Sequence, residues 1–333
     1  MQKTWKAQIA VSVLLMISVL SLGLTKLVLA APATSVLWGD SSANEIGSRN
    51  LGSGTTVTNV TGATNVNGIA VDDAAQKVYW VSGTKIERAD FAGTNREDVI
   101  TGLSGPYDIA LDVANNLVYW TDRVDGKVQR CSTASLPCTA ADVATGLDTP
   151  YGIALDTAGN EVYWGDDGDL KIQKCGTAAC TPTDVLTGLI SVDDIALDLV
   201  NSKVYWVDYW AGEIHRDNLT GGNDQTLYTF AGTSLASIAL DIDDNRLYWG
   251  EVTVGTSNDV IRRAALDGSG PADYVTGLDT VSGLAVSWVD VTALTVSSLS
   301  AGARGLFWSV WALVVGLSAL SAGYVWHRRT HGD

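Results

Sequence analysis

Short apolar runs alternate with polar turns along most of the chain, and the same order of segments recurs. A run of four or five apolar residues ends in Asp, a polar turn follows, and an aromatic-rich segment comes next. The runs are GIAVD, DIALD, GIALD, DIALD and SIALD, at residues 68–72, 108–112, 152–156, 194–198 and 237–241. Short runs rich in Ile, Val and Leu are typical of buried strands. The pattern predicts an all-β protein.

The aromatic segment sets the period of the repeat. Tyr-Trp pairs place tryptophan at positions 80, 120, 164, 206 and 249, and Leu37-Trp38 is a divergent first copy. Successive tryptophans are 42, 40, 44, 42 and 43 residues apart. A constant period of about 40–45 residues indicates a propeller or a solenoid. Most of the chain therefore belongs to one repeat array.

Two further strands complete each unit. A segment such as DVATGL at 142–147 or DVLTGL at 184–189 ends the unit. Four strands in a unit of this size form one blade of a propeller. The third strand carries a basic residue in every copy: Arg49, Arg88, Arg130, Lys174, Arg216 and Arg263.

The two ends of the repeat array are complementary. Trp38 has no apolar strand before it, and the apolar strand at 283–288 has no Tyr-Trp strand after it. If the last strand joins the first three, the ring closes and no sheet edge remains between the first and last blades. The sequence therefore predicts a six-bladed β-propeller of four-stranded blades, closed by the C-terminal strand.

The repeat resembles a known family. The tetrapeptide Tyr119–Asp122, the I-A-L-D strand, the basic third strand and the six-fold count are similar to the YWTD propeller of the low-density-lipoprotein receptor family (class B repeats), over about residues 35–290. The resemblance implies the six-bladed fold and a habit of binding proteins. Ser82, Glu251 and Leu37 depart from the motif. No EGF-like or cysteine-dense modules flank the repeats, so the endocytic function of that family is not implied.

The repeat region is strongly acidic. The whole chain has a net charge of −16, and residues 31–303 contain 15 basic and 36 acidic side chains, a net charge of −21. Such a region repels phosphate backbones, which argues against nucleic-acid binding. It suits a soluble ectodomain that meets cationic partners or ions.

The N-terminal residues predict export. Residues 1–30 have the organisation of a signal peptide, because Lys3 and Lys6 precede an apolar run and small residues precede Ala31. The propeller is then assigned to residues 31–290. Export implies a compartment that permits disulfides.

The C-terminal residues predict attachment to a membrane. Residues 306–326 carry no charge, and 21 residues span a bilayer as a helix. They follow a Ser/Thr-rich linker at 291–305 and precede a basic, cytoplasmic tail at 327–333. The alternative is a sorting tail of the bacterial surface-protein type, which is cleaved after sorting.

The four cysteines fall in matching positions of two successive units. Cys131 and Cys138 form one close pair, and Cys175 and Cys180 form the other. Two local disulfides are expected in an oxidising compartment, and zinc is the alternative.

The aspartates of the tetrapeptide have a basic residue eight or nine positions later. A hairpin that joined them would give structural ion pairs, which fix strand register. The alternative is a ring of carboxylates around a ligand. The expected pairs are Asp40 with Arg49, Asp122 with Arg130, Asp166 with Lys174, and Asp208 with Arg216.

No catalytic motif is found, so a non-enzymatic role is favoured and no cofactor is expected. The sequence lacks G-x-S-x-G, H-E-x-x-H and P-loop motifs. Residues 241–245 resemble the start of a calcium loop, but they occupy the same place as the other polar turns and predict a turn. A calcium site of the six-bladed lactonase type would draw its ligands from the starts of the apolar strands: Asn67, Asp108, Asp193 and Ser237.

The starts of the apolar strands are the predicted binding face. They vary from blade to blade while the strand behind them does not, as in a recognition surface. Tyr107 and Tyr151 supply aromatic anchors, with packing between blades as the alternative. Tyr209 and Trp210 are a second candidate. The face comprises Asn67, Tyr107, Asp108, Tyr151, Asp193 and Asp194.

The sequence thus favours an exported propeller that binds an extracellular protein or peptide, or acts as a scaffold, at the cell surface. It is expected to be tethered by the C-terminal helix with the propeller outside, or sorted to the surface after tail cleavage. The alternative function is a calcium-dependent hydrolase that uses the central channel. The sequence predicts neither the ligand nor the oligomeric state.

Overall fold

The computed structural model describes residues 34–230, 233–253 and 258–288. These residues form six four-stranded antiparallel sheets, which are the six blades of a β-propeller. In this part of the chain the only helical element is a short 3-10 turn, Val113–Asn115. The predicted all-β, six-bladed fold is confirmed.

The strands of each blade follow one another in the chain. Blade 1 begins with β1 (Ser35–Asp40), β2 (Glu45–Asn50) and β3 (Thr56–Thr61). Blade 2 contains β4 (Val66–Asp72), β5 (Lys77–Ser82), β6 (Lys85–Asp90) and β7 (Glu97–Thr101). Blade 3 contains β8 (Pro106–Asp112), β9 (Leu117–Asp122), β10 (Lys127–Ser132) and β11 (Ala141–Thr145).

The remaining blades repeat this order. Blade 4 contains β12 (Pro150–Asp156), β13 (Glu161–Asp166), β14 (Lys171–Gly176) and β15 (Thr183–Thr187). Blade 5 contains β16 (Asp194–Asp198), β17 (Lys203–Asp208), β18 (Glu213–Asn218) and β19 (Gln225–Thr229). Blade 6 contains β20 (Ser234–Asp241), β21 (Arg246–Val252), β22 (Asp259–Ala265) and β23 (Ala272–Leu278), and β24 (Val281–Ser287) returns to blade 1.

The ring closes as the sequence predicts. Strand β24 pairs antiparallel with β1, from Ser35 opposite Ser287 to Asp40 opposite Val281. Asp73, in the first turn of blade 2, accepts hydrogen bonds from the Ser287 hydroxyl and from the Trp288 amide. The last strand is therefore held by its own sheet and by the neighbouring blade.

The hydrophobic core lies between neighbouring blades. Trp80, Trp120, Trp164 and Trp249 are completely buried in it. Trp120, for example, packs in one cluster with residues of blade 2, including Tyr79. A sheet buries an apolar face against another layer, so each blade uses its neighbour as that layer.

The aspartates that end the innermost strands cap the following turn. The carboxylate of Asp112 accepts the Asn115 amide at 3.1 Å, and that of Asp241 accepts the Asp244 amide at 3.1 Å. Asn116 and Asn245 then adopt positive φ angles of 54° and 53°, which Asn tolerates better than most residues. The turn predicted at 241–245 is present.

The predicted ion pairs of the tetrapeptide aspartates are wrong. Asp122 is completely buried, and its carboxylate accepts backbone amides of Ser104, Gly105, Val124 and Asp125 at 2.9–3.2 Å. Each of these aspartates accepts backbone amides and none pairs with the basic residue expected for it: Asp40 (with Arg49), Asp122 (with Arg130), Asp166 (with Lys174) and Asp208 (with Arg216).

The basic residue of the third strand meets tyrosine instead. The register places Arg130 opposite Tyr119 and Lys127 opposite Asp122, and the Arg130 guanidinium donates to the Tyr119 hydroxyl at 3.2 Å. Arg88, Lys174 and Arg216 lie in the same way over Tyr79, Tyr163 and Tyr205. The carboxylate lies at the end of its strand, where it reaches the connecting loops and not the basic side chain.

Both predicted disulfides are present, Cys131–Cys138 and Cys175–Cys180. Each closes a loop that also contacts the preceding blade. The Cys138 amide donates to the Val99 carbonyl of β7 at 2.9 Å, and the Cys180 amide donates to the Val143 carbonyl of β11 at 3.0 Å. The loops therefore link blade 3 to blade 2 and blade 4 to blade 3.

The predicted signal segment (1–30), linker (291–305), membrane helix (306–326) and basic tail (327–333) lie outside the described residues. Among the residues that are described, no helix has the length and apolar character needed to cross a membrane.

Candidate binding face and central channel

A β-bulge opens the start of most innermost strands. In blade 3, Pro106 lies opposite Asp122 and Ile109 opposite Trp120, so Tyr107 and Asp108 together face a single residue of β9. Strands β4, β12 and β20 have an irregularity at the same place. Bulges redirect side chains and are common beside functional sites. Here they direct side chains toward the propeller axis.

These side chains surround one end of a central cavity of about 560 Å³. Farther along the strands the cavity is lined by small side chains, such as those of Ala110, Ala154 and Ala196. The polar and aromatic residues at its mouth include Asn67, Tyr107, Asp108, Asp194, Tyr209 and Ser237. The structure therefore brings five of the eight predicted binding residues to one cavity.

Two carboxylates in the channel bridge neighbouring blades. Asp108 accepts the Ile109 amide at 2.8 Å and the Ile153 amide of blade 4 at 2.9 Å. Asp194 accepts the Ile195 amide at 2.7 Å and the Ile238 amide of blade 6 at 2.8 Å. The innermost strands have no neighbour on the axis side, so these carboxylates satisfy amides that would otherwise face the channel.

Burial also makes these two carboxylates weak acids. Desolvation, partly offset by the two amide bonds, raises the pKa of Asp108 to about 7. Desolvation and then the charge of Asp108 raise the pKa of Asp194 well above its usual range. The charge of Asp108 thus opposes ionisation of Asp194.

Glycine allows the strands beside these carboxylates to approach closely. A Cβ atom on Gly68 would lie 2.2 Å from the Asp108 carboxylate, and one on Gly152 would lie 2.5 Å from the Asp194 Cα. No side chain fits at either place. Glycine and aspartate therefore alternate around this part of the ring, because each glycine leaves the space that the aspartate of the next blade occupies.

The two tyrosines of the predicted face contact each other. Tyr107 and Tyr151 meet edge to face with ring centroids 4.5 Å apart, and the Arg123 guanidinium lies over both rings. Burial, followed by the charges of Asp193 and Asp194, raises the pKa of the Tyr107 hydroxyl. The pair joins blade 3 to blade 4, and Tyr107 also lines the channel.

Asp193 does not point into the channel. Its carboxylate accepts the Ser191 hydroxyl at 2.8 Å and the Tyr209 amide at 3.1 Å, and burial raises its pKa to about 6. It therefore supports the loop that carries Tyr209 and Trp210. These two rings meet edge to face at 5.2 Å, and Trp210 is 77% exposed.

Sequence reasoning missed three residues on the same face. Val124 and Ile190 are 67% and 68% exposed, and Arg123 covers the tyrosine pair. Val124 occupies the turn of blade 3 that corresponds to the Trp210 turn in blade 5. Ile190 lies in the connection from blade 4 to blade 5, beside Ser191, which donates to Asp167. For Val124, an apolar residue in the polar turn at 122–126 was the available signal.

The ligand set expected for calcium is not assembled. Asn67, Asp108 and Ser237 line the cavity, whereas Asp193 faces the neighbouring loop. In the described ranges, no group of three or more His, Cys, Asp or Glu side chains is arranged to hold a metal ion. The carboxylate of Asp193 therefore does not join that of Asp108, and the expected set of oxygen donors is incomplete.

No protein-family model matches the chain. Among solved structures, the chain is similar to one in the crystal structure of a nidogen/laminin complex, with a TM-score of 0.64 and 19% identity over 76% of this chain and 98% of that chain. It is also similar to the structure of a streptogramin B lyase, with a TM-score of 0.53 and 15% identity over 74% and 83% of the two chains. At these identities the similarity shows the fold.

Proposed function

We propose that this protein is an exported propeller of the YWTD type that binds a protein ligand at the cell surface. The binding surface is the channel-mouth face, which is formed by the turns between second and third strands and by the connections between blades. The ligand would contact an arc over blades 3, 4 and 5. The observation that carries the proposal is the apolar group on this arc: Val124, Ile190, Trp210 and the ring pair Tyr107–Tyr151.

Exposed apolar side chains of this size favour a protein partner. Trp210 is 77% exposed and Ile190 is 68% exposed. Contiguous apolar patches surrounded by polar residues commonly mark interaction sites. Tryptophan and tyrosine often supply most of the binding energy at protein interfaces.

The charge of the same arc indicates the character of the partner. Asp125, Asp148 and Asp169 are exposed on it, and the repeat region as a whole carries a net charge of −21. Complementary charge steers association and disfavours wrong partners. The expected partner therefore presents basic side chains around an apolar centre.

The proposed location rests on the sequence of the termini and on the cysteines. The disulfides Cys131–Cys138 and Cys175–Cys180 suit an oxidising compartment. Residues 1–30 have the organisation of a signal peptide, and residues 306–326 are long and apolar enough for a membrane helix or a sorting tail. The nidogen/laminin similarity supports protein binding by a propeller of this shape.

The hydrolase alternative predicts a functional metal ion, which can be tested directly. If the channel holds no calcium, chelator treatment followed by dialysis should leave the Tm of the full-length chain unchanged. Elemental analysis of the untreated protein should then find no calcium in proportion to protein. A chelator-dependent fall in Tm together with one calcium per chain would favour the hydrolase.

The binding proposal is tested by comparing variants of two exposed positions. The full-length chain is immobilised and exposed to cell-surface extracts, and captured proteins are identified by mass spectrometry. Trp210→Ala and Ile190→Ser should each lose capture of the same protein. Val200→Ser is the matched control, because Val200 is 80% exposed but lies at the opposite end of β17.

Reciprocal measurement with the purified partner completes the test. Removing a central aromatic residue should weaken binding by about tenfold or more. Equal loss of binding in the Val200→Ser control, or no loss in Trp210→Ala, would contradict the proposed face.

A further inference from the structure

The aromatic pair at the channel mouth already holds a cation. The guanidinium carbon of Arg123 lies 5.5 Å from the Tyr107 ring centroid and 6.0 Å from that of Tyr151. A cation within about 6 Å of an aromatic centroid is attracted to the ring. None of the ion pairs among the described residues involves Arg123, which is exposed. It is therefore held mainly by the rings and can be displaced.

Carboxylates line the cavity beside this pair. Each oxygen of Asp108 and of Asp194 accepts one backbone amide, and a carboxylate oxygen can accept more than one hydrogen bond. Tyr107 belongs to the same cavity wall, and the charges of both aspartates act on its hydroxyl. Capacity for a donor group therefore remains beside the rings.

A buried hydroxyl in the same cavity lacks a partner. Ser237 lines the cavity and is 2% exposed, and its Oγ has no hydrogen-bond partner among the described residues. Buried polar side chains are normally satisfied, so one without a partner in a cavity wall indicates a place for a bound group. This observation is independent of the tyrosine pair and the carboxylates.

We propose that the channel mouth binds an organic ammonium ion between the rings of Tyr107 and Tyr151 and the carboxylates of Asp108 and Asp194. In the free protein Arg123 occupies the aromatic part of this site, and an arriving ammonium group displaces it. The cavity of about 560 Å³ is within the range of small-molecule sites. The site shares this ring pair with the proposed protein-binding arc, but it does not include Trp210 or Ile190, and its residues Tyr107, Asp108 and Asp194 line the channel.

The chemistry favours a cation over an anion or a neutral ligand. Aromatic rings attract positive charge, a bound cation favours the ionised form of a neighbouring carboxyl group, and the surrounding repeat region is strongly acidic. The charged and titratable groups facing the site are Asp108, Asp194, Tyr107, Tyr151 and Arg123, and the charge of Asp193, whose carboxylate faces the neighbouring loop, also acts on the Tyr107 hydroxyl. Arg123 supplies the single positive charge in this set.

A pair of isosteric probes tests the site. The full-length chain is titrated calorimetrically with choline and with 3,3-dimethylbutan-1-ol, which has the same shape without the charge, at constant ionic strength. Choline should bind about tenfold more tightly or better. Equal affinities, or no binding of choline, would overturn the proposal.

Variants then test the residues assigned to the site. Arg123→Gln removes the internal competitor and should tighten choline binding by about threefold or more, whereas Tyr151→Leu should weaken it by about tenfold. Arg130→Gln is the matched control, because Arg130 lies over Tyr119 on the third strand of the same blade, and should leave the affinity unchanged. Choline binding that is insensitive to Arg123→Gln would refute displacement of Arg123.

A second probe distinguishes a free amine from a lysine of a protein. Tighter binding of Nα-acetyl-lysine methylamide than of choline would assign the site to a lysine side chain, and the reverse would assign it to a free quaternary amine. Because Trp210→Ala leaves the residues of this site unchanged, choline should bind that variant normally. The two proposals can therefore fail separately.

Discussion

At the scale of single residues, the buried carboxylates fall into two groups with opposite behaviour. Asp122 stabilises the connection between blades by accepting four backbone amides at 2.9–3.2 Å. Asp108 also accepts amides, but desolvation dominates and raises its pKa to about 7. The first is a structural anchor, whereas the second is a titratable group beside a cavity.

The first prediction compares the contributions of Asp122 and Arg130 to the free energy of unfolding. Asp122→Ala should lower the free energy of unfolding by about 3 kcal/mol or more, because several buried amides lose their acceptor. Arg130→Met should cost about 0.5–1 kcal/mol, since it loses mainly the contact with Tyr119. Urea denaturation of both variants measures the difference. Similar losses in the two variants would restore the ion-pair interpretation.

The second prediction concerns pH. The folded-state pKa of Asp108 is raised to about 7 from 3.8, so folding binds a proton and this group favours the folded state more as the pH falls from 8 toward 4. Asp108→Asn keeps the position neutral. The Tm of this variant minus that of the wild type should therefore be more positive at pH 8 than at pH 5.5. The difference should be about 2–4 °C for each kcal/mol by which the effect on the free energy of unfolding changes between the two pH values.

Asp142 supplies the control for this measurement. Hydrogen bonds from Gln129 and Lys127 lower its pKa, so it is ionised throughout the same window. The Tm difference between Asp142→Asn and wild type should not change between pH 5.5 and pH 8. A flat profile for Asp108→Asn as well would mean that Asp108 does not titrate there.

At the scale of elements, each blade is a simple meander, and the features that matter are its irregular places. The bulge at Tyr107–Asp108 turns two successive side chains toward the axis. The disulfide loops follow the third strand and donate hydrogen bonds to the outer strand of the preceding blade. These deviations, and not the regular ladders, create the channel mouth and the links between blades.

The third prediction concerns the disulfide loops. Reduction of the full-length chain should leave the propeller folded, because the ring is closed by β1 and β24 and not by a disulfide. Hydrogen exchange followed by mass spectrometry should show faster exchange in the two loops and in β7 and β11, whose Val99 and Val143 carbonyls hold them. Exchange in β17 and β21 should not change. Global unfolding on reduction would contradict the local role.

At the scale of the whole molecule, ring closure makes distant parts of the chain depend on each other. Strand β24 lies more than 200 residues from its partner β1, and it also packs between blades 6 and 2. Leu284 is buried with Trp38 in the cluster that joins the two ends of the chain. Loss of this strand would expose the inner edge of β1 and the surfaces of blades 6 and 2 that pack against β24.

The fourth prediction follows from this closure. Leu284→Ala should lower the free energy of unfolding by about 2–4 kcal/mol, because it leaves a cavity at the closure. Leu199→Ala, at a 41% exposed position, is the control and should change it by less than about 0.5 kcal/mol. Circular dichroism and tryptophan fluorescence should report one shared transition. An unfolding step confined to blade 1 would contradict a cooperative ring.

The sequence alone determined the architecture because local composition repeats with a fixed period. The spacing of Trp38 to Trp249 predicted six blades, the unmatched strand at 283–288 predicted the closure, and the cysteine positions predicted both disulfides. Each of these features depends on neighbours in the chain or on counting. Features of this kind can be identified in the sequence alone.

Only the tertiary structure decided which side chains meet. Spacing suggested that Asp122 reaches Arg130, but strand register puts tyrosine there and brings loop amides to the carboxylate. Asp193 and Asp194 are adjacent in sequence, yet Asp194 faces the channel and Asp193 the neighbouring loop. Arg123 reaches a tyrosine of the next blade, Tyr151, which no local pattern encodes. Side-chain direction at the channel mouth depends on the bulges and on contacts between blades, so the candidate site emerged only when the ring was assembled.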